Sequence, residues 1–210
     1  TGQSSAFPTR LLFGAVLDAQ SQPLQLADLS IEELGNVQVM SVSGRAEPLA
    51  EAPASVFVIT RDDIRRAGMT SLPEVLRLAP NLVVARTYSS GYSISARGFN
   101  TGPGNKVLVL IDGRTVYTPL FSGVFWDVQE VLLEDVERIE VISGPGGTLW
   151  GTNAVNSVIN VITRSARDTR GTFAAVGGGN AESLASVRHG GSLGADGAYR
   201  VYGRYFDRDN

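Results

Sequence analysis

The stretch "VERIEVISGPGGTLWG", Val136 to Gly151, decides how the fold of this chain is read. Its first half, "VERIEVIS", predicts a β-strand, because it is rich in β-branched residues and contains neither glycine nor proline. Its second half predicts a loop, which contains four glycines and one proline. A loop of this composition is either a phosphate cradle, as in nucleotide-binding enzymes, or a segment whose backbone conformation glycine adopts most easily. The two alternatives separate an enzyme from a protein of another class.

The phosphate-binding alternative fails on the residues that follow the glycines. Neither Lys-Ser nor Lys-Thr follows them, so the loop lacks the cation and the hydroxyl that hold a nucleotide phosphate and its metal ion. The single histidine, His189, has no nucleophile in a G-x-S-x-G setting. The carboxylate pairs Asp62-Asp63 and Glu134-Asp135 lie at predicted helix starts, where capping and the helix dipole explain them. We therefore expect no enzymatic activity and no catalytic residues.

The composition is that of a folded chain without cysteine chemistry. The chain has 210 residues, 43% hydrophobic and 19% charged, enough for one or two domains with an apolar core. The formal net charge is −3 and the basic residues are scattered, which argues against binding of nucleic acid through its phosphates. Cysteine is absent, so disulfides and cysteine-based metal sites are excluded, and we expect no metal and no cofactor. The sequence contains no run of about 18 apolar residues, so it predicts no transmembrane helix. This criterion does not detect barrel strands, in which apolar and polar residues alternate.

The N-terminal 50 residues divide into a tail and a tether. Residues 1–19 contain the apolar run "LLFGAVL" after Arg10, which either resembles the end of a secretory signal peptide or is a tail with a chance apolar cluster. Residues 20–50 predict a tether with one short helical turn and one short strand, "NVQVMSVS". This strand has no obvious local partner. It either adds to the sheet edge of another protein or pairs inside its own domain.

Residues 51–166 have the pattern of a compact α+β domain. The strand "SVFVIT" leads into a short helix that Thr60 caps, with Asp63 at its third position and Gly68 at its end. A second helix, "TSLPEVLRLAP", begins with a predicted capping box between Ser71 and Glu74 and buries one apolar face. Further predicted strands are "NLVVA", "YSISARGF", "KVLVLIDGRTVY", "ERIEVIS" and "SVINVITR".

Two of these segments allow sharper structural predictions. The run "VLVLI", residues 107–111, is apolar throughout, which indicates a strand buried on both faces with Val109 at its centre. Asp112-Gly113, flanked by strand residues, indicates a tight hairpin turn. On the second helix, the helical spacing of the apolar residues predicts that Leu76 is fully buried.

Residues 167–210 have a different character. They contain three strand-like segments separated by small polar turns, "GTFAAVGGG", "SLASVRHGGSLG" and "AYRVYGRYFDRDN". In the last segment two sets of side chains alternate, so one face is suited to lipid and the other to water. This is the pattern of an outer-membrane barrel strand, and a soluble hairpin alternates similarly.

In their order and spacing, the motifs resemble the plug domain of TonB-dependent outer-membrane receptors. The resemblance rests on "SVFVITRDDIRRAGMTSLPEVLRLAPNLVV", "ISARGFN", "KVLVLIDGRTVY" and "DVERIEVISGPGGTLWGTNAVNSVINVITR", and it extends over residues 26–164. It implies an α+β plug with a small mixed β-sheet and short helices, inside a 22-stranded barrel of the bacterial outer membrane. The 44 residues from 167 to 210 leave room for about three barrel strands. We therefore expect the first antiparallel strands of an incomplete transmembrane β-barrel, in a fragment of a longer receptor, forming a small hairpin or showing little order.

The resemblance also implies a function. Receptors of this family take up a scarce nutrient such as a ferric siderophore, haem or cobalamin, and TonB energises them by capturing an N-terminal segment in the periplasm. By position this segment is "VQVMSVS". The expected TonB-binding residues are Val37, Gln38, Val39, Met40, Ser41 and Val42. The alternative is a soluble plug-like module that binds a ligand or signals without transport.

The resemblance gives the glycine loop a structural role, since it matches the family's Gly-Pro loop between two plug strands. The expected plug–barrel interface residues are Arg97, Gly98, Gly144 and Pro145. Two features depart from the family pattern. Ser143 stands where a basic residue is usual, so Arg97 has lost one companion in a charge cluster with barrel glutamates. Asn156-Ser157 stands where glycines are usual.

Three segments match the family's extracellular plug loops, at residues 85–92, 100–105 and 116–126. Their polar-tipped aromatic residues suit a bulky amphipathic ligand, which the sequence does not identify. The expected substrate-binding residues are Arg86, Tyr88, Tyr92, Asn100, Tyr117 and Trp126. For Phe121, Phe125 and Trp126 the alternative is that they pack the core of the plug.

Overall fold

The computed structural model describes a chain built mainly of β-strands. The described residues are 13–14, 38–40, 46–48, 55–88, 91–97, 106–121, 123–129, 131–144, 150, 153–180, 182–194 and 196–208. The strands are β1 (Phe13–Gly14), β2 (Gln38–Met40), β3 (Ala46–Pro48), β4 (Ser55–Thr60), β5 (Leu82–Arg86), β6 (Tyr92–Ala96), β7 (Val107–Ile111), β8 (Arg114–Thr115), β9 (Val136–Ser143), β10 (Ser157–Thr163), β11 (Gly171–Gly178), β12 (Glu182–Leu193) and β13 (Gly197–Arg208). The α-helices are α1 (Arg61–Ala67) and α2 (Leu72–Val75), and 3₁₀ helices lie at Leu76–Leu78, Trp126–Val128, Leu133–Asp135 and Ala166–Thr169. Among the described residues, no helix combines the length and apolar character needed to cross a membrane.

The chain forms two compact units, residues 22–164 and residues 165–210 together with 1–21. The first unit is built on a five-stranded sheet in the order β4-β9-β10-β7-β8. Strands β10 and β7 pair in parallel, and the other neighbours pair antiparallel. Two smaller sheets, β2-β3 and β5-β6, belong to the same unit. The prediction of a small mixed sheet with short helices is confirmed.

Strand β7 lies at the centre of the core, as its continuous apolar run predicted. Val107 and Val109 belong to the main apolar cluster, which also contains the buried residues of α1 and α2. Leu108 and Leu110 belong to a second cluster on the other side. Val109 is 1% exposed. The strand is therefore buried on both faces, which confirms the prediction.

Helix α1 forms for the local reasons that the sequence shows. The side-chain oxygen of Thr60 accepts from the backbone N–H of Asp63 at 3.1 Å, and the carboxylate of Asp63 accepts from the backbone N–H of Thr60 at 2.9 Å. This reciprocal arrangement is a capping box. Gly68 ends the helix with a φ of 61°, in the left-handed region that suits glycine.

Helix α2 departs from its prediction at its first residue. The side chain of Ser71 makes no capping hydrogen bond, so the predicted box between Ser71 and Glu74 is wrong. The carboxylate of Glu74 is instead engaged by Arg77 and Tyr92. The helix is short and passes directly into the 3₁₀ helix that begins at Leu76. Leu76 is nevertheless 0% exposed, as predicted.

The turn at Asp112-Gly113 joins β7 to β8 and confirms the predicted hairpin. Both residues have positive φ, 49° and 76°, the combination that a two-residue type I′ turn requires. The carboxylate of Asp112 accepts from the backbone N–H of Thr163 at 2.8 Å and from its hydroxyl at 2.9 Å. The turn is thereby attached to the end of β10.

The short strand β2 does have a local partner. It pairs antiparallel with β3, with Val39 opposite Glu47, and Val39 is 0% exposed. The expectation of an unpaired strand was wrong, and the alternative of pairing inside the domain is what the structure shows. A strand of three residues carries too little local pattern to reveal its partner.

The second unit is an antiparallel sheet in the order β1-β11-β12-β13. Strands β12 and β13 contain 12 residues each, so the expectation that this segment forms a small hairpin or shows little order was wrong. Strand register explains the difference, because β12 and β13 pair along their full lengths. The prediction of antiparallel strands that match the beginning of a barrel is confirmed.

The two faces of this second sheet differ in chemistry. One face carries exposed apolar and aromatic side chains, namely Val176, Val187, Leu193, Tyr199, Val201 and Tyr205. The other face carries Phe173, Glu182, Arg188, Arg200, Arg204, Phe206 and Arg208. On that face Arg188 lies over the ring of Phe173 at 5.5 Å, and Arg208 lies over Phe206 at 4.7 Å. The first face also carries the exposed polar residues Thr172, His189 and Asp207, so it is mainly but not wholly apolar, while the second face is rich in arginine.

Leu76→Ala tests the core of the first unit. Because Leu76 is 0% exposed within the main cluster, we expect its loss to lower the free energy of unfolding by about 2–5 kcal/mol. Urea unfolding followed by tryptophan fluorescence reports on this unit, since Trp126 and Trp150 both lie within it.

The control is Leu120→Ala, since Leu120 is 81% exposed and its truncation should change the free energy of unfolding by less than about 0.5 kcal/mol. A loss below about 1 kcal/mol for Leu76→Ala would show that the core has been placed wrongly.

Candidate functional site

The N-terminal candidate site is the strand β2. Its backbone is described from Gln38 to Met40, while the predicted TonB-binding residues Val37, Ser41 and Val42 lie outside the described residues. One edge of β2 pairs with β3, and among the described strands no other strand pairs with its second edge. An edge of this kind offers backbone donors and acceptors to an added strand. Capture by another protein therefore requires either addition at that edge or opening of the β2–β3 pair.

The second candidate site is the end of the β5–β6 hairpin, which we call the hairpin tip and define as residues 86–88 and 91–92. Arg86 and Tyr92 form the last strand pair. Beyond this pair, the backbone N–H of Thr87 donates to the carbonyl of Gly91 at 2.9 Å. The Nε of Arg86 donates to the carbonyl of Tyr88 at 3.3 Å. The structure thus brings three predicted ligand-binding residues together.

Tyr88 is an exposed aromatic residue of the hairpin tip. The residue is 64% exposed, and its ring lies against the Cα of Gly91, where a Cβ would overlap the ring. Glycine at this position therefore allows the ring to fold across the turn. An exposed aromatic ring with a hydroxyl, next to a guanidinium, offers an apolar face and two kinds of hydrogen-bond donor to a ligand.

Tyr92 is anchored inside the protein. Its hydroxyl donates to Glu74 Oε1 at 2.8 Å, and Arg77 Nε donates to Glu74 Oε2 at 2.6 Å. Burial, and after it the bond to Glu74, raises the pKa of the Tyr92 hydroxyl. Burial alone would raise the pKa of Glu74, but the hydrogen bonds from Arg77 and Tyr92 outweigh it and hold that pKa below its usual value. Sequence reasoning missed Glu74 because a capping role already explained it.

Of the remaining predicted ligand-binding residues, the structure describes Tyr117 and Trp126. Trp126 is 6% exposed and belongs to the main apolar cluster, so its assignment to ligand binding is corrected to core packing. The rings of Phe121 and Phe125 meet edge to face at 4.3 Å. Tyr117 is half-buried, and its backbone N–H donates to the hydroxyl of Thr115 at 3.3 Å. Asn100 lies outside the described residues.

The predicted plug–barrel interface residues that are described lie close together. Gly144 has a φ of 126°, and Arg97, itself at a φ of 57°, places Nη2 at 3.9 Å from the position of a Cβ on Gly144. A side chain at residue 144 would be strained by this backbone conformation. The glycine at residue 144 is thus needed for its backbone, as the structural reading of the loop predicted. Gly98 and Pro145 lie outside the described residues.

The two departures from the family pattern have local explanations. The hydroxyl of Ser143 is hydrogen-bonded to the side-chain amide of Asn81. Ser157 is 0% exposed and donates to the carbonyl of Ile142 at 2.8 Å. The carbonyl of Asn156 accepts from the backbone N–H of Gly144 at 3.1 Å. The hydroxyls of Ser143 and Ser157 are therefore bonded within the protein, whereas the bond at Asn156 uses only its backbone.

Comparison with known proteins identifies the family. The family model described as "TonB-dependent Receptor Plug Domain" matches residues 48–158. The Vitamin B12 transporter BtuB of Vibrio vulnificus (strain CMCP6) is 36% identical over 144 residues, which are 68% of this chain and 23% of that protein. This chain therefore spans less than a quarter of the length of that curated relative.

Solved structures with a similar fold include two receptors. The alcaligin outer-membrane receptor FauA from Bordetella pertussis matches with a TM-score of 0.64 at 23% identity, over 88% of this chain and 32% of that chain. A mutant of the ferric enterobactin receptor PfeA from Pseudomonas aeruginosa matches with a TM-score of 0.58 at 28% identity, over 82% of this chain and 26% of that chain. The first match, below 25% identity, supports the fold alone.

The lowered pKa of Glu74 predicts a pH-dependent effect of Glu74→Gln. A carboxylate whose pKa is lower in the folded than in the unfolded state stabilises the fold above its unfolded pKa, about 4.3. That contribution is lost as the pH falls through the lowered, folded-state value. We expect wild type to be more stable than Glu74→Gln by a constant margin between pH 7 and pH 5, and the margin to shrink as the pH falls below about 4.3.

Urea unfolding at a series of pH values, again followed by tryptophan fluorescence, measures this margin. A margin that is unchanged at the lowest pH would mean that the charge of Glu74 is not what Arg77 and Tyr92 stabilise.

Proposed function

This chain belongs to the TonB-dependent receptor plug-domain family. On that premise, we propose that it is the gate of an outer-membrane receptor for a scarce nutrient. Two relatives support this class of nutrient, because one is a vitamin B12 transporter and the other is a ferric enterobactin receptor. We propose a ligand of this class, a ferric siderophore, haem or cobalamin. Such ligands are bulky and amphipathic, and they suit a site made of aromatic rings with a few directed polar groups.

The observation that carries the ligand-binding proposal is the closed conformation of the hairpin tip. Tyr88 presents an exposed ring and Arg86 presents a guanidinium on a turn that is closed by the bond from Thr87 to Gly91. Side chains that are already held in one geometry lose little conformational freedom when a ligand binds. We therefore propose Arg86 and Tyr88 as ligand contacts, with Tyr117 contributing from the segment after β8.

The second sheet supports a position in the outer membrane. The exposed apolar residues of one face suit contact with lipid hydrocarbon, and Tyr199 and Tyr205 lie six residues apart on that face of β13, with Val201 between them. Barrel strands of the outer membrane carry such aromatic residues at both interfaces of an apolar band. The arginine-rich face suits the polar interior of a barrel. We propose that β11, β12 and β13 are the first strands of that barrel.

The energy for uptake would come through TonB, which binds the N-terminal part of the chain. We propose that the C-terminal domain of TonB captures residues 37–42 by strand addition at β2, with the N-terminal part of the chain in the periplasm. Recognition of an extended segment through its backbone depends on hydrogen-bonding edges more than on side-chain identity. The β2–β3 pair contains three residues in each strand, so opening it breaks few hydrogen bonds.

Proline substitution within β2 tests capture by TonB. Neighbouring residues of a strand direct their N–H groups to opposite edges, so Gln38→Pro and Val39→Pro remove donors from different edges. We expect at least one of the two variants to abolish binding of the isolated TonB C-terminal domain, measured by calorimetry, while tryptophan fluorescence shows a folded plug.

Val39→Ala is the matched control, because it shortens the side chain and keeps the backbone donor, and we expect it to bind. Full binding by both proline variants would remove this segment as the capture site.

Uptake by the complete receptor tests the ligand contacts. Arg86→Ala combined with Tyr88→Ala removes the guanidinium and the exposed ring, and we expect uptake of the nutrient to fall by at least about tenfold. The probes are cyanocobalamin, ferric enterobactin and haem, each supplied to cells that lack other receptors for it, with surface expression measured in parallel.

Val83→Ala is the control, since Val83 is 46% exposed on the same hairpin but lies away from the tip. Normal uptake by the double variant would leave recognition to other parts of the receptor. Binding of a probe without uptake by the wild-type receptor would favour the soluble binding module instead.

A further inference from the structure

Helix α2 provides a fixed support next to the hairpin tip. Its residues Leu72 and Val75 are 1% and 0% exposed, and both belong to the main apolar cluster. Glu74 lies between them in sequence and is partly exposed, so its carboxylate leaves the helix on the side away from the core. Because helix α2 is well packed, the backbone position from which the Glu74 side chain extends is well defined.

From this position the carboxylate of Glu74 holds the hydroxyl of Tyr92. The Tyr92 hydroxyl donates to Glu74 Oε1 at 2.8 Å, while Arg77 Nε donates to Glu74 Oε2 at 2.6 Å. The carboxylate is therefore held from two sides, one oxygen for each partner. Hydrogen bonds to an ionised group are stronger than those between neutral groups, so this contact has a defined geometry.

Tyr92 in turn forms the last pair of the hairpin before the turn. It lies opposite Arg86, and the next described contacts along the chain are the bond from Thr87 to the carbonyl of Gly91 and the contact of the Tyr88 ring with Gly91. A change in the position of Tyr92 therefore moves the residues on either side of the turn. The Tyr88 ring follows because it packs on the residue that immediately precedes Tyr92.

We propose that Glu74 is a positioning residue, which holds the hairpin tip in one conformation through the Tyr92 hydroxyl. Tyr92 then acts by placing Arg86 and Tyr88, rather than by offering its own hydroxyl to the ligand. This inference rests on the proposed function in one respect, namely that the tip which Glu74 positions is a ligand site. The positioning itself is a property of the chain without a ligand.

Amide hydrogen exchange of the chain without ligand tests the positioning. We expect Tyr92→Phe to speed exchange of the Thr87 N–H by about tenfold, because the hairpin tip opens more often without its anchor. Glu74→Gln should have a smaller effect, since glutamine keeps an acceptor oxygen. In the double variant exchange should be no faster than in Tyr92→Phe alone, because Tyr92→Phe already removes the bond that Glu74→Gln weakens.

Two controls separate a local effect from general destabilisation. Arg77→Gln removes the other partner of Glu74 but keeps the bond to Tyr92, so it should speed exchange at Thr87 less than Tyr92→Phe does. Exchange at Ile159, in the central strand β10, reports on opening of the core, and Tyr92→Phe should speed exchange at Thr87 by a larger factor than exchange at Ile159. Unchanged exchange at Thr87 in Tyr92→Phe, or additive effects in the double variant, would overturn the proposal.

Uptake by the complete receptor then separates this inference from the proposed function. With the three probes named above, Tyr92→Phe should raise the apparent KM while the maximal rate stays the same. A normal KM together with faster exchange at Thr87 would remove the proposed ligand role of the hairpin tip and still support Glu74 as the residue that positions it.

Discussion

Burial of β10 on both faces, between antiparallel β9 and parallel β7, is the constraint on which the first unit depends. Val158 packs in one apolar cluster, and Ile159 and Val161 pack in the other. Fixing this strand also fixes the segments at its two ends. At its start, Asn156 accepts from Gly144, and at its end Thr163 donates to Asp112, so the glycine loop and the β7–β8 turn take their positions from β10. This geometry explains the glycine at residue 144, since only a residue without a Cβ adopts its φ of 126° without strain.

Two elements outside this sheet differ in how firmly they are held, and the difference suits the proposed function. The hairpin β5–β6 has a turn closed by a backbone hydrogen bond and a last pair anchored to Glu74. The pair β2–β3 has three residues in each strand, and a two-stranded sheet of that size is at most marginally stable by itself. A ligand site benefits from side chains that are already in place, whereas a segment that another protein captures must be able to change partners.

Local patterns in the sequence predicted the elements whose causes are local. The capping box at Thr60, the left-handed turn at Asp112-Gly113 and the apolar run of β7 each depend on neighbouring residues, and all three are confirmed. Contacts between distant residues left no such pattern. The Tyr92–Glu74 bond joins residues 18 positions apart, and it displaced the capping role that the spacing of Ser71 and Glu74 had suggested. The sequence could not decide whether Trp126 is buried either, because an aromatic residue in a loop has the same local sequence pattern whether it packs inward or outward.

The most direct test of the account is the TonB dependence of nutrient uptake by the complete receptor. Cells that lack other receptors for cyanocobalamin, ferric enterobactin and haem would express it with and without TonB, and accumulation of each probe would be measured. The account predicts that one probe accumulates in cells with TonB and that accumulation falls to background without TonB, while binding at the cell surface remains. Equal accumulation of that probe in both strains, or accumulation of none of the three in cells that display the receptor, would contradict a TonB-driven gate for this class of nutrient.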